Sequence, residues 1–396
     1  MLRSLYAGIS GLRAEQTMLD VTSNNIANVN TVGFKSSAVH FEDTLSQTLQ
    51  SAGLAQSYKA GTNPSQIGLG VRVADVSMAL TQGSQQSTGS NLDTMISGDG
   101  YFTTKIGSQT LYTRNGSFHF DSEGRLATAG GALVQGWTAV DGQVNPGLTP
   151  GPITLNSAGV TKATQTTKAT LTGNIPVDGT AAFSRDIPVY AADGSTKTLT
   201  VKFTPSATTA GAYDYVASDD DGATAAATGT LTFVNGKLAT GSDSVKTTGD
   251  GITLDFSGMS GYAGLNTATF ADQNGNQAGT LLSYTMGADG TLTGTFSNGD
   301  TVPLARLALS TFQNPNGLEK AGSTSFTESI NSGAPKFGVA GSDGFGAITA
   351  GALEASNVDL SQEFTNLIVA QRGFQANARI ITTSDEILQE LTQLKR

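Results

Sequence analysis

The residues that could do chemistry are few and far apart. Two histidines, His40 and His119, are the whole imidazole complement of a 396-residue chain. Neither has a second ligand at metal-binding spacing, and both read as surface or strand residues. Two stretches, "SDDDG" at 218–222 and "DQNGNQ" at 272–277, have the composition of calcium loops. Neither places glycine sixth or glutamate twelfth from its first aspartate, so both read as turns whose side chains bond to backbone. There is no G-x-S-x-G elbow, no phosphate-cradling G-x-x-x-x-G-K-[ST] loop and no H-E-x-x-H. With no cysteine in the chain, disulfides, thiolate metal sites, a cysteine nucleophile and a lipoprotein anchor are excluded. The sequence therefore offers no catalytic, cofactor-binding or metal-ligating residue, and an enzyme is not expected.

What remains to be explained is an unusual composition. Charged residues make up 14% of the chain and 49 residues are glycine, against about 25% charged in a typical soluble protein. Such a chain fits many short strands joined by tight turns, with uncharged polar surfaces able to lie against copies of themselves. A net charge of −10 with only 22 Lys+Arg leaves no clustered basic face for phosphates, so nucleic acid is not expected as a partner. No run approaches 18 apolar residues, so no membrane insertion is expected. Ser4, Gly8, Ser10, Gly11, Arg13 and Glu15 interrupt any apolar core of a cleaved signal. Export, if it occurs, would then use another address.

Helical periodicity is confined to the two ends. Leu2, Leu5, Ile9, Leu12, Leu19 and Ile26, with Gln16 and Ser23 as polar members, step by 3 and 4. Leu360, Phe364, Leu367, Phe374, Ala378, Ile381 and Leu388, with Gln371 and Asp385, repeat that step, and Leu391 continues it. This is the stripe of an amphipathic helix or coiled-coil seam. Asp359 is placed to cap the second run, with Gln362 placed to answer it three residues on. Nothing nearby in sequence buries these stripes, so Leu5, Ile9, Leu12, Leu19, Ile26, Leu360, Phe364, Leu367, Phe374, Ile381 and Leu388 form a candidate polymer-assembly seam. The polar members would weaken an isolated pair while setting register among many copies.

The interior alternates apolar and polar residues and turns at Asn-Gly, Glu-Gly and Asp-Gly, the pattern of β-hairpins. The expected fold is mixed and mainly β, with N- and C-terminal α-helices forming a coiled-coil inner domain and two nested, mainly-β outer domains. The expected boundaries are 1–27 with 357–396 for the helical domain and 28–70 for an extended or hairpin connector. A discontinuous β domain would span 71–147 and 284–356, and an inserted β domain 148–283.

The two ends together resemble the rod and hook axial proteins of the bacterial flagellum. "SLYAGISGL" followed by "SNNIANVNTVGFKSS" is similar to the N-terminal motif of that family, and "GALEASNVDLSQEFTNLIVAQRGFQANARIITTSDEILQEL" to its C-terminal motif. "ISGDGYF" and "YTRNGSFHFDSEGRLATAGGALVQGW" agree. The N-terminal motif falls on Asn24, Asn25, Ala27, Asn28, Asn30, Thr31, Gly33, Phe34 and Lys35. The resemblance implies that this segment is the exit from an inner-tube coiled coil. Its asparagines would satisfy backbone groups freed at the helix end, Gly33 would permit the turn, and Phe34 would anchor the chain beyond it.

Within the family, an insert of roughly 130 residues between the halves of the β domain points to the hook branch rather than the rod. That resemblance implies a structural subunit that polymerises with itself into a curved, hollow helical tube. Such a tube is a universal joint carrying torque from rod to filament outside the cell. It further implies export by the flagellar type III apparatus, and contact with the hook cap, the distal rod and the hook–filament junction proteins. Three rival readings fit the sequence less well. A distal rod subunit is disfavoured by the insert. A secreted adhesin would need a signal peptide and fixed-period repeats, and neither is visible. A cell-wall glycan hydrolase would need paired carboxylates in a cleft.

Overall fold

The computed structural model describes residues 2–54, 58, 60–140, 142–155, 160–218, 225–239, 244–248 and 251–393. Most of the "SDDDG" stretch lies outside the described residues. Helix α1 spans Leu2–Ala27 and α2 spans Leu360–Gln393; strands fill most of the chain between. Asp359 caps α2, its Oδ1 accepting the backbone N–H of Ser361 at 2.8 Å and of Gln362 at 3.3 Å. This satisfies donors that a helix start leaves open. The expected reply from Gln362 is not made; its Nε2 donates along the helix to Asn366 Oδ1 at 3.1 Å.

The chain forms two compact units. Residues 1–155, 285–293 and 303–396 make the first, and 156–284 with 294–302 the second. In the first unit the two helices pack on one another and α1 also lies against the connector, where Ser37–Asp43 pairs antiparallel with Val71–Met78. A bulge at His40/Phe41 interrupts that ladder. The connector continues as a second ribbon, Ser46–Gln50 against Ser65–Gly68, exposed along its length. Beyond it lies a sheet in which Tyr101–Ile106 pairs with Gln109–Thr113 on one side and with Leu133–Thr138 on the other. Ser325–Thr327 and Glu319–Gly322 form a hairpin on the outer edge of Gln109–Thr113. Tyr101 sits edge-on between Phe312 and Phe326, at 6.1 and 5.9 Å, and Tyr112 packs edge-on against Phe312 at 4.8 Å. Aromatic edges on faces at these distances add to the area they bury.

The second unit has its own core. Four antiparallel strands follow in chain order, Phe183–Tyr190, Thr196–Pro205, Tyr213–Ser218 and Ala225–Leu231. A second sheet pairs Lys168–Asn174 parallel with Thr253–Ser260 and antiparallel with Thr269–Gln273. The inward residues of both sheets, among them Leu171, Val201, Phe203, Tyr213, Leu254 and Phe256, make one buried cluster. The alternation along each strand produces it, because successive side chains point to opposite faces.

Candidate assembly junction at the helix exit

The helix pair is antiparallel and meets through its smallest residues. A methyl group on Gly8 would lie 3.5 Å from the side chains of Ile380 and Ile381, while one on Gly11 would fall 2.6 Å from the Asn377 amide. One on Gly373 would fall 2.6 Å from Glu15 Oε1. Small residues let two helix axes approach, and here they set the seam: Gly8, Gly11, Ala14, Thr22 and Asn25 are the buried positions of α1, and Ala370 and Ser384 those of α2. The seam therefore lies about one residue, roughly 100° of helix, away from the apolar stripe legible in the sequence. Leu5, Ile9, Leu12, Leu19 and Ile26 are half-buried beside it, as are Leu367, Ile381 and Leu388. Leu360, Phe364 and Phe374 are exposed, and Ile368, Val369, Ile380 and Ile387 join them at the surface. Glu15 stands in the groove between the helices with Oε2 unpartnered, and burial pushes its carboxyl above the ordinary range.

At the end of α1 the asparagines are spent on backbone. Asn28 Nδ2 donates to Asn24 O at 2.9 Å, and Thr31 Oγ1 donates to Asn28 Oδ1 at 3.1 Å. Asn25, only 1% exposed, ties three segments together. Its Oδ1 accepts the N–H of Ser37 at 3.0 Å, while its Nδ2 donates to Ser37 O at 2.8 Å and to Glu363 Oε1 on α2 at 2.9 Å. Gly33 turns the chain with φ +68, and a methyl group there would sit 2.7 Å from Asn115 N. Both the left-handed conformation and the close approach require glycine. Ala27 and Asn30 are exposed, and the Phe34 ring lies 5.4 Å from Lys320 Nζ.

Two residues on from Gly33, the chain buries a lysine. Lys35 Nζ donates to Glu354 Oε1 at 2.6 Å and to Thr81 O at 2.7 Å, with both charged side chains at 2% exposure or less. The same Oε1 accepts the N–H of Gly83 at 2.9 Å, and Gly33 N donates to Glu354 O at 2.8 Å. Arg114 approaches Glu354 Oε2 at 3.5 Å with its guanidinium 5.3 Å over the Tyr101 ring. Desolvation lowers the Lys35 ammonium pKa, and the Glu354 carboxylate works against that shift. A parallel clamp uses Asn357, whose Oδ1 accepts Ser36 N at 2.8 Å and whose Nδ2 donates to Ala79 O at 2.9 Å. The segment following α1 and the segment preceding α2 are thus pinned to each other and to the connector. The arrangement is mechanical: it fixes the direction in which the helix pair leaves the β core.

The remaining candidates are placed elsewhere. His40 Nε2 lies 2.9 Å from Ser77 Oγ on the connector, and His119 is exposed on the strand Phe118–Phe120. In "DQNGNQ", Asn274 Oδ1 accepts the N–H groups of Thr167 and Lys168, and Gln273 Oε1 accepts that of Gly275. Sequence reasoning missed Glu354, Arg114 and Asn357. The signal that could have found the first is a single charge in the otherwise small and apolar stretch "GALEA" of a chain that has few.

Comparison with known proteins matches the segments that meet at this junction. The family described as "Flagella basal body rod protein" matches residues 5–35, "Flagellar hook protein FlgE/F/G D1 domain" matches 95–185, and "Flagellar basal body rod FlgEFG protein C-terminal" matches 349–394. The two outer matches cover α1 with its exit and α2 with Glu354. The chain is 35% identical to the flagellar hook protein FlgE of Borreliella burgdorferi, with all of both chains covered. It is also 35% identical to the flagellar hook protein FlgE of Salmonella typhimurium, over 99% of this chain and 100% of that one. The flagellar basal-body rod protein FlgG of Bacillus subtilis is 34% identical, with all of both chains covered. On these full-length similarities the chain belongs to the flagellar hook protein family.

Proposed function

We propose that the chain is the structural subunit of a flagellar hook and polymerises into a curved tube that passes torque from rod to filament while bending. The observation that carries this reading is the helix pair's inverted distribution of residues. Glycine, alanine and asparagine fill its seam, whereas Phe364, Ile368, Val369 and Phe374 face outward at 38–57% exposure. An apolar surface of this kind marks an interaction site, and copies of the same pair would cover it as a coiled-coil inner wall. In this reading the second unit is an outer domain nested in the first. Its surface of Thr, Ser, Asn and Gly offers water-bridged contacts that exchange easily during bending. The junction of Asn25, Lys35, Glu354 and Asn357 holds inner and connector segments at a fixed angle, so that torque is transmitted rather than absorbed.

The hook cap, the distal rod and the hook–filament junction proteins are the partners this role implies, with delivery by the flagellar export apparatus to the cell exterior. No enzymatic activity belongs to it. Full-length hook relatives favour this reading over a distal rod subunit, although a rod protein stands among the relatives. The test is electron microscopy of concentrated purified protein, followed by complementation of a hook-deficient strain. Curved tubes and restored hooks are expected; straight rods, or no polymer with no restoration, would overturn it.

A further inference from the structure

A cavity of about 250 Å³ opens beside the helix exit, between the family's N-terminal motif and the hairpin made by Glu319–Gly322 and Ser325–Thr327. Asn24, Asn28 and Phe34 line it from one side and Lys320, Thr324 and Phe326 from the other. Three observations distinguish it. Lys320 Nζ donates to Ser37 Oγ at 2.9 Å and lies over Phe34, yet no carboxylate pairs with it among the described residues. The nearby buried cluster sets two cations, Lys35 and Arg114, on the single carboxylate of Glu354; Arg114 Nη1 and Glu354 Oε2 face each other at 3.5 Å with no hydrogen bond, and Arg114 Nε has no hydrogen-bond partner. The hairpin tip is strained: Ser323 and Thr324 hold φ of 49 and 55, a conformation that β-branched threonine rarely adopts and that collects at functional sites. A chain of net charge −10 thus sets one ammonium without a carboxylate partner among the described residues, that of Lys320, beside a cavity with a partly aromatic lining, and a cluster of two cations on one carboxylate close by.

From this imbalance we infer that the cavity is a socket for a carboxylate-bearing segment of a second copy of the chain. This rests on the polymer reading proposed above. Charge complementarity names the occupant: acidic residues outnumber basic ones 32 to 22, so neighbouring copies present carboxylates. A carboxylate entering the cavity gains a hydrogen-bonded ammonium partly removed from water, while Phe34 and Phe326 cover the apolar stem behind it. The hairpin tip, Ser323 and Thr324, lines the same cavity and would meet that segment in the assembly.

The test uses the full chain. Lys320→Glu should fold as the parent does, judged by the melting of the single tryptophan, Trp137, and should raise the critical concentration for tube formation at least about tenfold. Lys320→Arg should return it to near the parent value. If Lys320→Glu does not fold, Lys320→Gln carries the same expectation. Because the chain lacks cysteine, Thr324→Cys accepts a photo-cross-linker at one place. In tubes it should join an acidic peptide of a second copy, and in dilute monomer it should not. Tubes that form normally from Lys320→Glu or Lys320→Gln, or a label that joins only its own chain in tubes, would overturn the socket while leaving the polymer reading intact. Parent protein that forms no tubes would remove both.

Discussion

The helix pair and the second unit bury opposite kinds of residue. In the second unit Phe203, Phe256, Leu171, Leu231 and Leu254 are wholly enclosed, and the cluster they form is apolar throughout. Among the described residues of the helices the buried apolar side chains are Ala14 and Ala370, joined by Gly8, Gly11, Thr22, Asn25 and Ser384, while Phe364, Ile368, Val369 and Phe374 stand outside. Burying a Leu, Val, Phe or Ile contributes roughly 1.5–3 kcal/mol each. The second unit takes that contribution within its own chain, whereas the helices leave most of it unrealised. On the polymer reading proposed above, one region is completed by folding and the other by association.

The largest effect is expected of Phe256→Ala. Phe256 packs 4.9 Å from the Tyr215 ring and is fully buried, so its loss should cost about 3–5 kcal/mol. Hydrogen exchange in the strands Thr196–Pro205 and Tyr213–Ser218 should report it. Trp137, the one tryptophan, lies in the first unit with its Nε1 donating to Leu148 O at 2.6 Å, and its fluorescence transition should not move. A matching shift at Trp137 would mean that the two regions do not fold independently.

Glu354→Gln tests the other side. The substitution leaves Lys35 and Arg114 buried without a counter-charge, a change that costs about 3 kcal/mol where a buried pair loses one member. The Trp137 transition should now fall while hydrogen exchange in the second unit's strands is unchanged. Gly33→Ala should cost about 2 kcal/mol in the same signal, since alanine must adopt φ +68 against the backbone of Asn115. An unchanged transition in either variant would show that the junction is not a clamp.

Two smaller effects follow. Asp255 accepts from Lys168, 2.8 Å away, and from Ser257, and its pKa is lowered to about 2. A depressed carboxyl stabilises the fold above its unfolded value of about 3.9 and loses that contribution as pH falls toward 2. Because Lys168 is 55% exposed, the contribution is at most about 1 kcal/mol. Comparing the acid limb of stability of the parent with Asp255→Asn measures it, and identical limbs would refute it. Phe364→Asp is expected to have the least effect on unfolding, within about 0.5 kcal/mol for an exposed site, yet to abolish tubes in the microscope. A melting temperature lowered by several degrees would place Phe364 in the fold rather than in the assembly.

Much of this was legible locally. The 3- and 4-residue steps at the ends, the glycine after the asparagine-rich exit and the Asn-Gly turns each follow from neighbours in sequence. Asn235–Gly236, with φ of 53 and 79, turns Phe233–Val234 into Lys237–Leu238 as such a pair should. Other features were not. The contiguous insert expected over 148–283 differs from the second unit at both ends, and 294–302 rejoins that unit after an excursion. A strand's partner is chosen by tertiary packing, and Thr291–Phe296 reads alike whichever unit claims it.

What the sequence by itself determined is where helices and strands form, because backbone preference and side-chain period act over a few residues. The tertiary structure alone decided which face of each helix turns inward. Glycine adds nothing to an apolar count, yet by letting backbones approach it moved the seam from the Leu and Ile stripe to Gly8, Gly11 and Gly373. It alone decided, too, that Lys35 would be buried against Glu354, 319 residues away. A desolvated charge is tolerated only where its partner arrives in three dimensions, and no local pattern records that meeting.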